Sequence, residues 1–276
     1  MLDLTSRRDL VQLAEDLAPL ARQASALGLE WMLFGAQARD IVLEVAGLRP
    51  VGRATLDVDV AVEVGTWGEY ERLKSSLVDE EGASIDPNVA HRLELAGGTT
   101  LDVVPFGAIE ANGNIAWPPH GDRVLRVVGL TDARQAATTV ILPAKLEVLV
   151  PSLPAYVGLK LLAWESRQAE GIEQDAIDLA GILDGLDELI PLEKLYSDHG
   201  PVMEASDFDP TLACTEILGH RMAAELSTPF RTAVTEVLRR EIVPLGRLDL
   251  VRQLGLDNRA LPFLRALARG LEETRS

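Results

Sequence analysis

The pattern of apolar residues changes near residue 150, and this change limits the fold more than any other feature of the sequence. Before it, segments with the two-residue alternation of strands lie between segments with helical spacing. After Pro151, helical periodicity recurs with few strand signals, over residues 154–169, 173–184, 208–225, 229–241 and 259–273. We therefore expect two domains, a mixed α/β (α+β) domain over residues 1–150 and an all-helical domain over residues 151–276.

Composition places the chain among ordinary globular proteins, with 47% hydrophobic and 25% charged residues. The single cysteine, Cys214, cannot form an internal disulfide, which favours a reducing compartment. The N-terminus lacks the apolar core of a signal peptide. The most apolar stretch, residues 140–164, is interrupted by Lys145, Glu147 and Lys160. The sequence thus predicts a soluble cytoplasmic protein that does not interact with membranes.

The net charge of −17 bears on the choice of partner. A field of this sign repels nucleic acid at long range and disfavours sequence-independent binding to a duplex. The basic residues of segment 201–276 are all arginine, so a polyanion would approach that end more readily. Solvated helix faces bearing Glu and Arg are the simpler explanation of the same pattern.

A short acidic strand carries the first functional signal. Residues 56–64 alternate strictly, which predicts a strand with Asp57 and Asp59 on one face. Val58, Val60, Val62 and Val64 then occupy the core face. Two carboxylates at this spacing can share a divalent cation, and hard oxygen ligands suit Mg²⁺ or Mn²⁺. The alternative is a half-exposed strand with an acidic outer face.

A third carboxylate, Asp102, lies in a predicted hairpin. Residues 91–95 and 100–104 flank the turn at Gly97-Gly98, with apolar neighbours around Asp102. If that strand lies beside the first, three carboxylates converge and need a cation or raised pKa values. Two-metal phosphoryl transfer uses such a cluster, and the third acid is where a general base is sought.

A strand, a glycine turn and a helix precede the acidic strand, in the run Phe34-Gly35-Ala36-Gln37. Gly35 permits close backbone approach, and the N–H groups at the start of a helix bind anions such as a triphosphate. A lone glycine at such a place is by itself only a turn signal. The remaining expectations are helices over 6–27, 36–46 and 66–77, a strand over 31–34, a long loop over 105–121 and two or three short strands up to residue 150.

Together these motifs resemble the nucleotidyltransferase (DNA polymerase β-like) superfamily: a glycine turn, Asp-x-Asp on the next strand and a distant third Asp. Within it, Arg53-Ala-Thr55-Leu-Asp57-Val-Asp59 is similar to the Arg-x-Thr-x-Asp-x-Asp run of AbiEii-type proteins, the toxin component of type IV toxin–antitoxin systems. Lys160, Arg167 and the run Gln174-Asp175-Ala-Ile-Asp178-Leu179 resemble later family motifs. The match covers roughly residues 30–185.

The resemblance implies a nucleotidyltransferase-like mixed sheet with flanking helices, followed by the helical domain, and an enzyme that moves a nucleoside monophosphate from an NTP to a hydroxyl. Asp57, Asp59 and Asp102 would be the catalytic and metal-binding residues, with Mg²⁺ or Mn²⁺ as cofactor. The nucleotide would be bound by Gly35, Ala36, Arg53, Thr55, Lys160, Arg167, Asp175 and Asp178.

Several alternatives remain open at this stage. The acceptor is RNA, a protein or a small molecule, and the AbiEii resemblance adds an antitoxin protein as a partner. A non-catalytic member of the fold that binds a nucleotide or a partner protein is the second function class. Ala36 favours it, because the family's turn has Gly or Ser there, and so does Gln174, because the family often has Lys there.

Overall fold

The structure, a computed structural model, describes residues 1–52, 57–121, 123–243, 246 and 248–272. The chain divides into two compact units. The first comprises Met1–Ile41 and Gly52–Pro151, and the second comprises Val42–Val51 and Ser152–Ser276. The short segment Val42–Val51 thus groups with residues that are far from it in sequence.

Strands and helices are interleaved up to residue 150. Within the described residues the strands are β1 (Leu2–Asp3), β2 (Trp31–Phe34), β3 (Val58–Val64), β4 (Ser84–Ile85), β5 (Arg92–Glu94), β6 (Thr100–Gly107), β7 (Asn114–Ala116), β8 (Val124–Arg126), β9 (Thr138–Leu142) and β10 (Leu146–Val150). The helices are α1 (Val11–Leu27), α2 (Gly35–Val45), α3 (Trp67–Glu81) and α4 (Leu130–Gln135).

These strands form a mixed sheet with the order β1-β9-β10-β2-β3-β6-β5-β4, and β7 and β8 pair separately. The pairs β1–β9, β10–β2 and β3–β6 are parallel, and the other neighbours are antiparallel. The expected mixed α/β fold class is confirmed. β3 has a neighbouring strand on each edge, and five of its seven residues, the four valines and Ala61, are buried. Its β-branched residues suit such a position.

The valines of β3 point into the core, as the alternation predicts. Val58, Val60, Val62 and Val64 are at most 2% exposed. Asp59, on the opposite face, is half-buried. At about 25 cal/mol per Å² of apolar area removed from water, burial of these four side chains is a main reason why β3 keeps its register.

The expected long loop over residues 105–121 is wrong in part, because β6 continues through Pro105 to Gly107 and β7 follows at Asn114. The N–H of Val103 turns toward the β5 side of the strand and donates to the carbonyl of His91. Pro105, two residues further on, faces the same side but lies beyond the end of β5, which begins at Arg92. A proline is tolerated at this point because no ladder donor is needed there.

In the described part of its longer segment, the second unit has helices and no strand. Its helices in the described residues are α5 (Leu153–Arg167), α6 (Gln174–Asp184), α7 (Leu192–Asp198), α8 (Gly200–Ala205), α9 (Pro210–Glu225), α10 (Thr228–Ile242), α11 (Asp249–Leu254) and α12 (Ala260–Glu272). The five expected helical segments correspond to α5, α6, α9, α10 and α12. The helices α4, α7, α8 and α11 have only six or seven residues, too few to show periodicity in sequence.

Two glycines let α9 and α12 cross at close range. A Cβ on Gly270 would lie 2.0 Å from the carbonyl oxygen of Glu216, and one on Gly219 would lie 2.4 Å from that of Leu267. The Glu216 carboxylate, which is buried, accepts hydrogen bonds from Arg269 across the same pair of helices. None of the helices in the described part of the chain combines the length and the hydropathy needed to cross a bilayer.

Candidate active site

Three polar side chains lie at the same level on three adjacent strands of the first unit. Asp59 on β3 pairs with Asp102 on the parallel β6, and Asp102 pairs with Arg92 on the antiparallel β5. Directly paired residues project from the same face of a sheet. We call this set, Asp59, Asp102 and Arg92, the polar row. The expectation that Asp102 lies on a strand beside the Asp-x-Asp strand is confirmed by this register.

The glycine turn lies next to Asp59, at one end of the polar row. Phe34 on β2 pairs with Asp59, and Gly35 follows as the first residue of α2, with a φ of 66°. A Cβ at Gly35 would lie 2.0 Å from Oδ2 of Asp59. Glycine is therefore required twice, for its backbone conformation and for the space that the carboxylate occupies. Ala36, the next residue of the helix, is half-buried.

The Asp102 carboxylate is held by an arginine. The Arg92 side chain donates from Nε to Oδ1 and from Nη2 to Oδ2, both at 2.8 Å. The Asp102 side chain is only 10% exposed, whereas that of Arg92 is 34% exposed. Planar, two-bond pairs of this kind are among the strongest charge-assisted contacts. Both oxygens of the third carboxylate thus have a partner within the chain.

Further carboxylates act on Arg92. Its hydrogen bonds to Asp102 are the largest of the effects that raise the pKa of the Arg92 guanidinium, and the charges of Asp57 and Asp86 raise that pKa further. Asp57 is exposed and directly precedes β3. Arg92 is thus the common counter-charge of acidic groups from three segments of the chain.

The acidic residues of this region are candidate ligands of a divalent cation. Asp57 and Asp59 provide hard oxygen donors, and Mg²⁺ is commonly held by one or two carboxylates together with substrate phosphates. Among the described residues, however, no group of three or more His, Cys, Asp or Glu side chains is arranged to hold a metal ion. In the described residues Asp57, Asp59 and Asp102 do not come together as a three-ligand group, and both oxygens of Asp102 accept hydrogen bonds from Arg92. That Asp57 and Asp59 bind such an ion stays a prediction.

An aromatic cluster that the sequence reasoning missed lies beside the polar row. The ring of Trp117 lies 5.5 Å from that of Trp67 and 5.8 Å from that of His91, and Trp67 contacts Tyr70 at 5.9 Å. His91 Nε2 is 4.0 Å from the Asp102 carboxylate. Burial lowers the pKa of His91, and the Asp102 charge opposes this decrease.

Arg92 was not among the site residues predicted from the sequence. The missing information was the hairpin register, in which Glu94 faces Thr100 and Arg92 faces Asp102. Counting outward from the Gly97-Gly98 turn with this register would have paired the two residues. Arg53 and Thr55, expected to bind nucleotide, lie outside the described residues.

A second cluster of expected site residues lies within the second unit. Lys160 donates from Nζ to Asp175 at 3.1 Å and to Asp178 at 2.7 Å. The two carboxylates are each 1% exposed. Arg167, which is 44% exposed, forms an ion pair with Asp175 at 2.7 Å.

Burial in this cluster would lower the pKa of Lys160, but the surrounding negative groups, Asp175 and Asp178 among them, raise it above its ordinary value. The shared helix faces expected from the spacing of these residues bring them together as a buried ion-pair cluster. The described contacts support a role in the packing of α5 against α6. Contact of these four residues with a nucleotide stays a prediction.

No model of a known protein family matches the sequence, and no curated protein matches it. Among solved structures, the chain is similar to an antigenic nucleotidyltransferase-like protein from Paracoccidioides brasiliensis, with 18% identity, 91% of this chain and 94% of the other covered, and a TM-score of 0.41. The antibiotic-resistance factor ANT(2'')-Ia shows 16% identity over 71% of this chain and 95% of its own, with a TM-score of 0.40. The Thermotoga maritima CCA-adding enzyme, complexed with tRNA, shows 12% identity over 94% and 69%, with a TM-score of 0.29.

Proposed function

We propose that the chain is a nucleotidyltransferase, which moves a nucleoside monophosphate from an NTP to an acceptor hydroxyl. The observation that carries this proposal is the polar row, with Asp59 and Asp102 in register on adjacent parallel strands and Gly35 against the Asp59 carboxylate. The motif resemblance in the sequence points to the same reaction. In that reaction the acceptor hydroxyl loses its proton to solvent and its oxygen bonds to the α-phosphorus. The bond from the α-phosphorus to the bridging oxygen breaks, and pyrophosphate leaves with the electron pair.

The residues of the first unit have distinct parts in this proposal. Asp57 and Asp59 would hold a divalent cation, Mg²⁺ or Mn²⁺, which when bound would neutralise the charge of the phosphates. The backbone at Gly35 and Ala36 binds and orients the triphosphate at the start of α2. Asp102 orients the acceptor hydroxyl by accepting its hydrogen bond through a lone pair that Arg92 does not use. Catalysis is then mainly positioning and charge neutralisation.

The experiment that tests the proposal measures pyrophosphate release. The full chain is incubated with Mg²⁺ or Mn²⁺ and each labelled NTP, with and without a cell extract that supplies acceptors. We expect release with at least one NTP, loss of at least 100-fold in Asp59→Asn, and unchanged release in Asp79→Asn, which alters an exposed carboxylate on α3. Equal rates in the two variants would contradict the assignment.

The acceptor is sought in the same extract. Label is followed into RNA, protein and small-molecule fractions, which correspond to the acceptor classes left open by the sequence. If RNA is the acceptor, transfer should fall steeply as salt rises, because phosphate contacts are screened. We further propose, on the AbiEii resemblance, a toxin role with an antitoxin partner. Growth arrest on expression of the wild type, but not of Asp59→Asn, would support it.

A second candidate function is that of a non-catalytic module that binds nucleotide or a partner protein. One structural observation favours it: Asp102 is engaged by Arg92, and the described acids form no three-ligand set. Calorimetry with each NTP and Mg²⁺, followed by the pyrophosphate assay, separates the two functions. Binding without release of pyrophosphate in any extract would favour the module over the enzyme.

A further inference from the structure

The guanidinium of Arg92 occupies both oxygens of Asp102, the third carboxylate that the sequence predicts as a metal ligand. Both oxygens of Asp102 accept hydrogen bonds from Arg92 at 2.8 Å. The register puts Asp59 on the other side of Asp102, on the same face of the sheet. A divalent cation bound by these carboxylates would therefore compete with the Arg92 guanidinium for them.

The acidic surroundings of Arg92 strengthen this competition. Asp102 faces it from β6, while Asp57, just before β3, and Asp86, between β4 and β5, act on it through their charges. The backbone also links Asp86 to Arg92, since the Asp86 N–H donates to the Arg92 carbonyl. Each carboxylate that Arg92 neutralises attracts a divalent ion less.

Repulsion between the two cations adds to the effect. A positive charge within several ångströms of a bound divalent ion opposes its binding, least in water and more in a partly buried site. Asp102 is buried, and Arg92 is only about one-third exposed. A triphosphate reverses this balance, because its oxygens both ligate the ion and neutralise the guanidinium.

We propose that Arg92 keeps the divalent-cation affinity of the polar row low until a nucleotide binds, so that the ion and the NTP enter together. This inference rests on the proposed function, since it concerns the same carboxylates. It makes Arg92 a positioning residue, which acts through Asp102 and through its charge. The bare protein is then expected to hold the ion weakly.

The test is a titration of Mn²⁺ followed by the electron paramagnetic resonance signal of the free ion, with the full chain and no nucleotide. We expect Arg92→Gln to bind Mn²⁺ at least tenfold more tightly than the wild type, because Asp102 is released and a positive charge is lost. Arg92→Lys keeps the charge but loses the two-bond geometry, so its affinity should rise by less than about threefold. With saturating NTP, the difference between wild type and Arg92→Gln should shrink.

A matched control is available in the same unit. Arg22 forms the same kind of two-bond pair with Glu81, through Nε at 3.1 Å and Nη2 at 2.6 Å, far from the polar row in sequence. Arg22→Gln should leave Mn²⁺ affinity unchanged. Where Arg92→Gln loses the far-ultraviolet circular dichroism of the wild type, Arg92→Met, which keeps the apolar stem, takes its place.

Unchanged or weaker Mn²⁺ binding in the neutral Arg92 variant overturns the inference. The outcome is separable from that of the proposed function. Tighter Mn²⁺ binding in Arg92→Gln without pyrophosphate release by the wild type supports the role of Arg92 and contradicts the enzyme. Pyrophosphate release with equal Mn²⁺ affinities supports the enzyme and removes Arg92 from the control of its metal.

Discussion

The Cα of Gly35 lies so close to the Asp59 carboxylate that a single added carbon would meet Oδ2 at 2.0 Å. This contact joins the turn between β2 and α2 to the strand that carries the candidate metal ligand. Its consequence is that the position of Asp59 depends on the absence of a side chain at Gly35.

Gly35→Ala is therefore expected to displace Asp59 and to strain the backbone, since φ is 66° there. We expect a loss of about 2–4 kcal/mol in the free energy of unfolding, from the strained φ and the clash, measured in urea. Pyrophosphate release should fall at least 100-fold. Gly28→Ala is the control, because φ is 68° but nothing lies within 4 Å of its Cβ, so about 1 kcal/mol is expected. Similar losses in both variants would count against the contact.

The Arg92–Asp102 pair should show a measurable coupling energy. A double-mutant cycle with Arg92→Gln and Asp102→Asn is expected to give about 1–2 kcal/mol in urea unfolding, because the carboxylate is buried although the guanidinium is partly screened by water. The Arg22–Glu81 pair, whose arginine is 60% exposed, should give less than about 1 kcal/mol. A coupling for Arg92–Asp102 no larger than that of the control would mean that the pair does not order the site.

Lys160 is expected to be a stability residue. Lys160→Met leaves Asp175 and Asp178 buried without their shared cation, which should lower the free energy of unfolding by about 3–5 kcal/mol. Arg167→Gln, at an exposed position in the same cluster, should cost less than about 1 kcal/mol. The nucleotide role predicted for this cluster is checked on Arg167→Gln, where stability is retained. If this cluster binds nucleotide, the NTP affinity of Arg167→Gln should be at least tenfold weaker than that of the wild type.

Cys214 should report on the unfolding of the second unit. It is fully buried, and burial raises its pKa from 9.0 to about 11. At pH 8 we expect almost no reaction with a disulfide reagent in the folded protein and rapid reaction in urea. Fast labelling of the native protein would contradict the burial.

The same pKa shift gives a pH dependence. The pKa of Cys214 is higher in the folded state than in the unfolded state, so folding disfavours the thiolate. The stability that depends on a neutral thiol is therefore fully present below pH 9 and is lost as pH rises toward 11. It is at most about 2–3 kcal/mol. The wild type should therefore lose more stability than Cys214→Ala between pH 9 and 11, as measured by urea unfolding at each pH. Parallel losses in the two proteins would contradict the shift.

The sequence by itself determined the type and place of the longer elements. The alternation over residues 56–64 and the helical spacings after Pro151 report which face of an element is apolar, a local property that survives in the folded chain. The same alternation predicted Asp59 on the face opposite the buried valines. Short helices such as α7 and the continuation of β6 through Pro105 were not predicted, because their stability comes from residues that are distant in sequence.

Only the tertiary structure decided what the carboxylates contact. Strand pairing brought Arg92 opposite Asp102, so that a predicted metal ligand is also one member of an ion pair. Likewise, burial turned Lys160 toward Asp175 and Asp178 rather than toward solvent. A charged group removed from water must find an opposite charge, and which one it finds depends on strand register and helix packing, which no local pattern of residues specifies.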